Sequence, residues 1–215
     1  MQIVRLPVGI LQANCYLAAE DGQEEKESEA VVIDPGAEAD TILEAIRSRG
    51  FRVKHILLTH VHFDHMQAAG EVAAATGADI LVPEGDWPAL TDPRLSLCTM
   101  MPGSGPQILT ATGKLRDGDV VEADSLRLTV LHTPGHTPGS SCFLCGNTLF
   151  SGDTLFSGSV GRTDFPGGSF AVLKQSLSRL MTLPGDCTVL PGHDEATTLE
   201  KERMCNPYIN DNFYD

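Results

Sequence analysis

The chain has little to offer a membrane or a nucleic acid. Nowhere in its 215 residues is there an apolar run long enough to span a bilayer. Its 15 lysines and arginines face 29 acids, a formal charge of −14, and no basic cluster breaks that balance. A phosphate backbone would be repelled rather than held. The opening MQIVRLPVGILQANCYL lacks a basic start followed by a sustained apolar stretch, so a cytoplasmic protein without a secretory leader is expected. Six cysteines stand at 15, 98, 142, 145, 187 and 205, but no second CxxC matches Cys142 and Cys145. Set in SSCFLCGNTLF, that pair reads as small apolar residues of a buried strand rather than a zinc or redox motif. A chain of this length can build its core without disulfides.

What is present is an alternation of short β-rich and helical pieces. Strands are predicted over 3–7, 14–19, 30–33, 53–58, 79–82, 120–122, 126–131, 141–144, 148–150 and 187–190. Helical spacing of apolar residues marks 39–49, 67–76, 169–181 and 199–204. The charged run EDGQEEKESE at 20–29 reads as a solvated hairpin tip. Residues 83–113, with five prolines, read as a lid or an irregular crossover. The whole of 1–215 is expected to be one mixed α/β domain of two similar layered halves.

Four of the predicted strands run into titratable residues: THVHFDH at 59–65, HTPGHTPG at 132–139, SGD at 151–153 and PGH at 191–193. Ligands of layered α/β folds gather outside the carboxyl ends of strands. Residues two apart in an extended segment share a side, so His60 and His62 can grip one ion. His136 would complete three imidazoles and leave a coordination position open. Asp64, His65 and His193 would form a second site, with Asp153 as the bridge. Gly135, Gly152 and Gly192 give the backbone room beside these groups. One histidine on an apolar face is normally a core residue; seven titratable groups at strand ends are not an accident of that kind. His55 and His132 read as structural residues, His132 with a possible place behind the ligands. Asp34 in VVIDPG either orients a ligand or the first loop, or simply turns the chain.

THVHFDH, HTPGHTPGS, SGD and PGH in this order resemble the metallo-β-lactamase superfamily, and with NCYL and VVIDPG the likeness covers nearly the whole chain. It implies a four-layer αββα sandwich. GDTLFSGSVGRTDFPGGS and PGHDEATTLEKERMCNPY are similar to the compact bacterial branch of the glyoxalase II-like hydrolases. Such enzymes, the hydroxyacylglutathione hydrolases, cleave the thioester of S-D-lactoylglutathione. The resemblance implies two divalent metals, zinc first, with iron or manganese also suited to imidazole and carboxylate. A metal-bridging hydroxide would attack the carbonyl of a small thioester, with Asp64 holding it in line and accepting its proton. Arg162 in GRTDF is the candidate for substrate carboxylates, its plain alternative being an ion pair with Asp164.

The chain ends soon after Pro207 and Tyr208, without the added helical domain of the long enzymes, which leaves residues 83–113 as a substitute wall for the substrate. Two other activities share the pattern. A persulfide dioxygenase would hold one iron on His60, His136 and Asp153 and leave four ligands idle. A hydrolase of another small ester or thioester would use the full set. True β-lactamases do not use a bridging aspartate in this way, and nucleases fit poorly with the acidic balance. A non-catalytic metal scaffold is opposed by the open coordination and the carboxylates. Oligomeric state is not legible.

Overall fold

A computed structural model describes residues 1–21, 28–100 and 109–210. The first half contains β1 (Gln2–Val8), β2 (Ala13–Ala19), β3 (Ser28–Ile33), α1 (Ala39–Ser48), β4 (Phe51–Leu57), α2 (Phe63–Met66), α3 (Ala69–Thr76), β5 (Asp79–Pro83) and β6 (Gly113–Leu115). The second contains β7 (Val120–Ala123), β8 (Leu126–His132), β9 (Ser141–Cys145), β10 (Thr148–Gly152), β11 (Leu155–Phe156), β12 (Ser159–Val160), α4 (Phe170–Met181), β13 (Thr188–Pro191), β14 (Thr197–Thr198) and α5 (Leu199–Cys205). One six-stranded sheet runs β1-β2-β3-β4-β5-β6 and the other β14-β13-β10-β9-β8-β7.

Alternation along the strands dictates the layers. Every residue of β2 is buried, so it needs cover on both faces. Cys15, Leu17 and Ala19 join a cluster with Ile42 and Ile46 of α1 and Val72 of α3. Tyr16 and Ala18 point the other way and meet Leu128, Val130, Phe143 and Phe150 of the second sheet. The far face of that sheet is covered by Leu173, Leu177 and Leu180 of α4, which pack with Leu131, Leu149 and Val189. The result is the αββα sandwich, two sheets face to face with helices outside. No helix among the described residues is long and apolar enough to cross a membrane.

Strand direction then sets where the loops converge. β3, β4 and β5 are parallel, so their carboxyl ends share one edge. β8 and β10 each run antiparallel to β9, and β10 runs parallel to β13, so these three also end together.

Several expectations change in detail. β4 runs Phe51–Leu57 rather than 53–58, and His60 and His62 lie on the loop that follows it. β3 starts at Ser28, which gives the end of the acidic run to a strand; its residues 22–27 lie outside the described residues. The segment after β5 is a packed crossover, as far as it is described. It forms 3-10 turns at Glu84–Leu90 and Cys98–Met100, and Leu90, Leu97 and Cys98 belong to the first core cluster. Prolines at 83, 88 and 93 remove amide donors and favour these short turns over a regular helix. Residues 101–108 lie outside the described residues. The β11–β12 hairpin was not predicted, because two residues per strand carry no periodicity.

The CxxC spacing resolves as two core residues. Cys142 faces the α4 side and Cys145 faces the other sheet, as residues three apart on one strand must. Burial pushes the Cys142 thiol up to about 11, against an opposing hydrogen bond from Thr133.

Candidate metal centre

All seven residues singled out by the spacing meet at the shared strand edge. His60, His62 and His136 form one group whose ligating atoms lie within 4.8 Å of one another, and Asp64, His65 and His193 form a second. The rings of His60 and His62 are edge to face with centroids 4.7 Å apart, on one side of the loop after β4. His62 precedes α2 in an extended conformation, and the helix then carries Asp64 and His65 towards the second group. Asp153 stands between the groups. Its Oδ2 is 3.6 Å from His136 Nε2, and its Oδ1 is 3.5 Å from His65 Nε2.

The hydrogen bonds behind the ligands fix which ring nitrogens face inward. His136 Nδ1 lies 2.6 Å from the carbonyl oxygen of Arg162, and His193 Nδ1 3.2 Å from that of Leu11. A carbonyl only accepts, so both rings donate there and turn Nε2 towards the ligand groups. Asp34 sets two more. It accepts from the Thr59 amide at 2.7 Å, the Thr59 hydroxyl at 2.6 Å and His65 Nδ1 at 3.0 Å. With its proton given to Asp34, Thr59 Oγ1 accepts from His60 Nδ1 at 3.0 Å. Asp34 therefore orients both a ligand and the first loop. Although it lies close to His60 and His65, its lone pairs are engaged by these donors. His62 differs, turning Nδ1 towards His136 Nε2 at 2.9 Å.

This arrangement fits divalent cations on its own evidence. Nε2 of His60, Nε2 of His62 and Oδ1 of Asp153 are buried without a hydrogen-bond partner, and each such atom costs about 1–3 kcal/mol unless something satisfies it. The electrostatics divide in the same way. Burial, then the neighbouring His136, push His62 down to about 3, and burial with the surrounding rings lowers His60. Both are therefore neutral donors of lone pairs. At His65 burial is outweighed by Asp153, Asp64 and Asp34, which hold the ring up at about 10. His193 is raised against burial by Asp64 and Asp153. Burial also works against the Asp64 charge, but His65 and His193 overcome it and keep that carboxyl well below the usual range. The carboxylate-rich half thus demands positive charge, and without a metal protons supply it.

Gly192 shows how tightly the strand ends meet. A Cβ there would overlap Asp153 Oδ1 and lie 2.7 Å from His65 Cε1.

Sequence comparison agrees with this geometry. A family profile described as the metallo-beta-lactamase superfamily matches residues 8–193. The chain belongs to the metallo-beta-lactamase superfamily. Among its relatives, hydroxyacylglutathione hydrolase GloC of Haemophilus influenzae is 33% identical over 98% of this chain and 99% of its own, consistent with the glyoxalase II-like branch. Among solved structures, the B3 metallo-beta-lactamase BLEG-1 superposes with a TM-score of 0.89 at 31% identity, over 97% of this chain and 100% of that one. TTHA1623 in a di-iron-bound form gives 0.83 at 35% identity, over 95% and 99%. ETHE1 from Myxococcus xanthus gives 0.76 at 31% identity, over 96% and 84%. Superfamily fold and shared identity thus accompany proteins of several names.

The centre forms the floor of a cleft of about 610 Å³, walled by Leu11, Phe63, Leu97, Met100, Phe156 and Phe165. Arg162 also lines it. Its guanidinium is forked onto Asp164 with both bonds at 2.7 Å and lies 4.0 Å over the Phe165 ring. The ion pair with Asp164 is therefore present, on a residue that also lines the cleft. His55 and His132 are outside the site; His132 Nε2 donates to the Pro138 carbonyl at 3.0 Å. Sequence reasoning missed Thr59 and the carbonyls of Leu11 and Arg162. Thr59 had one signal, its position directly before His60.

Proposed function

We propose that the protein is a two-metal hydrolase of small thioesters of the S-D-lactoylglutathione type. One observation carries the reading: two groups of ligands, not one, are assembled around Asp153 at the floor of an open cleft. His60, His62 and His136 would hold one ion, Asp64, His65 and His193 the other, with Asp153 between. Zinc is the first choice, and the di-iron form of TTHA1623 supports iron as an alternative. Divalent ions held there lower the pKa of water towards neutrality and polarise a carbonyl.

The chain's own residues supply the rest. Asp64, 3.3 Å from His193 Nε2, would hold the attacking water in line and take its proton. Asp34, Thr59 and the two carbonyls accept from Nδ1 of His65, His60, His136 and His193, which turns Nε2 of these four rings towards the proposed ions. Arg162, rigidified by Asp164 and Phe165, offers its remaining donors to a substrate carboxylate. The apolar wall offers contact surface to the thiol portion of the substrate. A small-molecule substrate in the cytoplasm, handled without nucleic acid or membrane, completes the proposal.

A mononuclear-iron persulfide dioxygenase on His60, His136 and Asp153 is the second reading, supported by the likeness to ETHE1. It leaves the assembled Asp64–His65–His193 group without a use. The test is a panel on protein of measured metal content: S-D-lactoylglutathione, glutathione persulfide with an oxygen electrode, and a chromogenic β-lactam. Thioester cleavage abolished by His62→Ala is the expected result. Oxygen uptake on the persulfide without thioester cleavage would replace this reading with the second.

A further inference from the structure

A buried carboxylate that neither ligand group uses sits directly behind both metal-bearing loops. Asp86 belongs to the 3-10 turn after β5 and is 3% exposed. Its Oδ2 accepts from the Val61 amide at 3.1 Å and from the Thr137 hydroxyl at 2.7 Å. Its Oδ1 accepts from the Gly139 amide at 2.6 Å. Among the described residues no ion pair reaches it. A buried charge without a cationic partner is expensive and persists only where fixed donors replace its water.

The identity of those donors gives the carboxylate its meaning. Val61 lies between His60 and His62, on the loop from the first sheet. Thr137 follows His136, on the loop from the second sheet. One side chain therefore ties together the two loops whose three imidazoles form the first group. The approach is close: a Cβ on Gly139 would lie 2.6 Å from Asp86 Oδ1 and would overlap the Asp86 amide. Thr137 is itself held by Ser140, whose hydroxyl accepts from the Thr137 amide at 3.0 Å. The direct backbone bond between the loops among the described residues, from the Ser141 amide to the Thr59 carbonyl at 2.9 Å, lies before His60 rather than between the ligands.

We infer that Asp86 is the positioning residue of the three-histidine group, setting the separation of the His60–His62 pair from His136 before any ion arrives. The crossover between the halves then has a defined role: it carries the brace that makes one site from two loops. This rests on the two-ion reading above.

The test compares wild type with Asp86→Asn and with Thr137→Val, which removes a single donor and leaves the carboxylate in place. Metal-free proteins are first melted, then titrated with zinc against a chromophoric chelator. The expected result is near-normal melting of the metal-free Thr137→Val protein and a selective loss at one of two binding steps. That loss should be about 10–100-fold in Asp86→Asn and smaller in Thr137→Val. Cobalt substitution should show an altered visible spectrum for the same step. Equal weakening of both steps, or two unchanged steps in folded variants, would overturn the inference. Failure of the wild type to bind two ions would instead overturn the two-ion reading, so the two failures are distinct.

Discussion

Oδ2 of Asp34 lies 3.0 Å from Nδ1 of His65, and the same carboxylate holds Thr59 through its amide and its hydroxyl. One buried acid at the end of β3 thereby orients a ligand of each group, His65 directly and His60 through Thr59. Its own backbone adopts φ 51°, an uncommon conformation for a residue other than glycine and one that aspartate tolerates better than most.

Asp34→Asn keeps the shape of this support but replaces one acceptor oxygen by a donor. Either the Thr59 amide, or the Thr59 hydroxyl and His65 Nδ1 together, then face a donor in place of an acceptor. Metal affinity is expected to fall by about 10–100-fold, as for other residues that orient ligands. Chelator competition measures it; an unchanged affinity would deny Asp34 this role.

Gly192→Ala tests how closely the two strand ends must meet. The glycine backbone is pinned by bonds to the Gly152 carbonyl at 2.8 Å and from the Asn14 amide at 2.7 Å. The new methyl would overlap Asp153 Oδ1, so that carboxylate has to move. A loss of about 1–3 kcal/mol in unfolding free energy is expected from overpacking. Metal content below two ions per chain, measured by elemental analysis, should accompany it.

Both ligand groups and their order along the chain were legible because the chemistry admits few residue types. Imidazoles and carboxylates at four strand ends could be read as a common address before any coordinates. Three features were not legible, each for a physical reason. The loop after β4 brings the rings of His60 and His62 together beyond the end of the strand, where no strand ladder fixes the spacing the two-residue period assumed. The carbonyls of Leu11 and Arg162 orient ligands through the backbone, which any residue type supplies. Asp86 lies in a proline-broken crossover with no period, so nothing in the sequence marks the loops it joins.

Acid should weaken the join between the two halves at Glu29. Its carboxylate accepts from the Asp124 amide at 2.8 Å, while the Glu29 amide donates to Asp124 Oδ2 at 2.8 Å, so β3 and the turn after β7 clasp each other. The Asp124 amide, with Lys54 and Arg52 beyond it, pulls the Glu29 carboxyl from 4.5 down to about 2 against the effect of burial. A depressed carboxyl stabilises the fold above its unfolded pKa, and that contribution disappears as the pH falls through the folded value. Glu29→Gln is expected to lose about 0.5–1 kcal/mol at pH 7, with most of that loss gone near pH 2. Urea unfolding at the two pH values reads the difference. A gap that persists at low pH would mean the loss comes from packing rather than charge.

Arg162→Ala separates binding from chemistry. The guanidinium stands beside the cleft and touches no proposed ligand side chain, though its backbone carbonyl supports His136. Truncation leaves that carbonyl in place. For a thioester bearing carboxylates, KM should rise about three- to tenfold with kcat nearly unchanged, the modest effect of an exposed charge pair. For an uncharged thioester neither constant should move. A fall in kcat on both substrates would show that the residue acts on the centre and not on the substrate.

The most direct measurement is a zinc titration of metal-free protein, following S-D-lactoylglutathione hydrolysis at each addition. Two assembled groups around Asp153 predict that activity climbs to a maximum at two equivalents per chain and that Asp64→Asn, in the second group, removes most of it. Full activity at one equivalent, or none at two equivalents with oxygen uptake appearing on loading with iron, would contradict a two-metal thioester hydrolase.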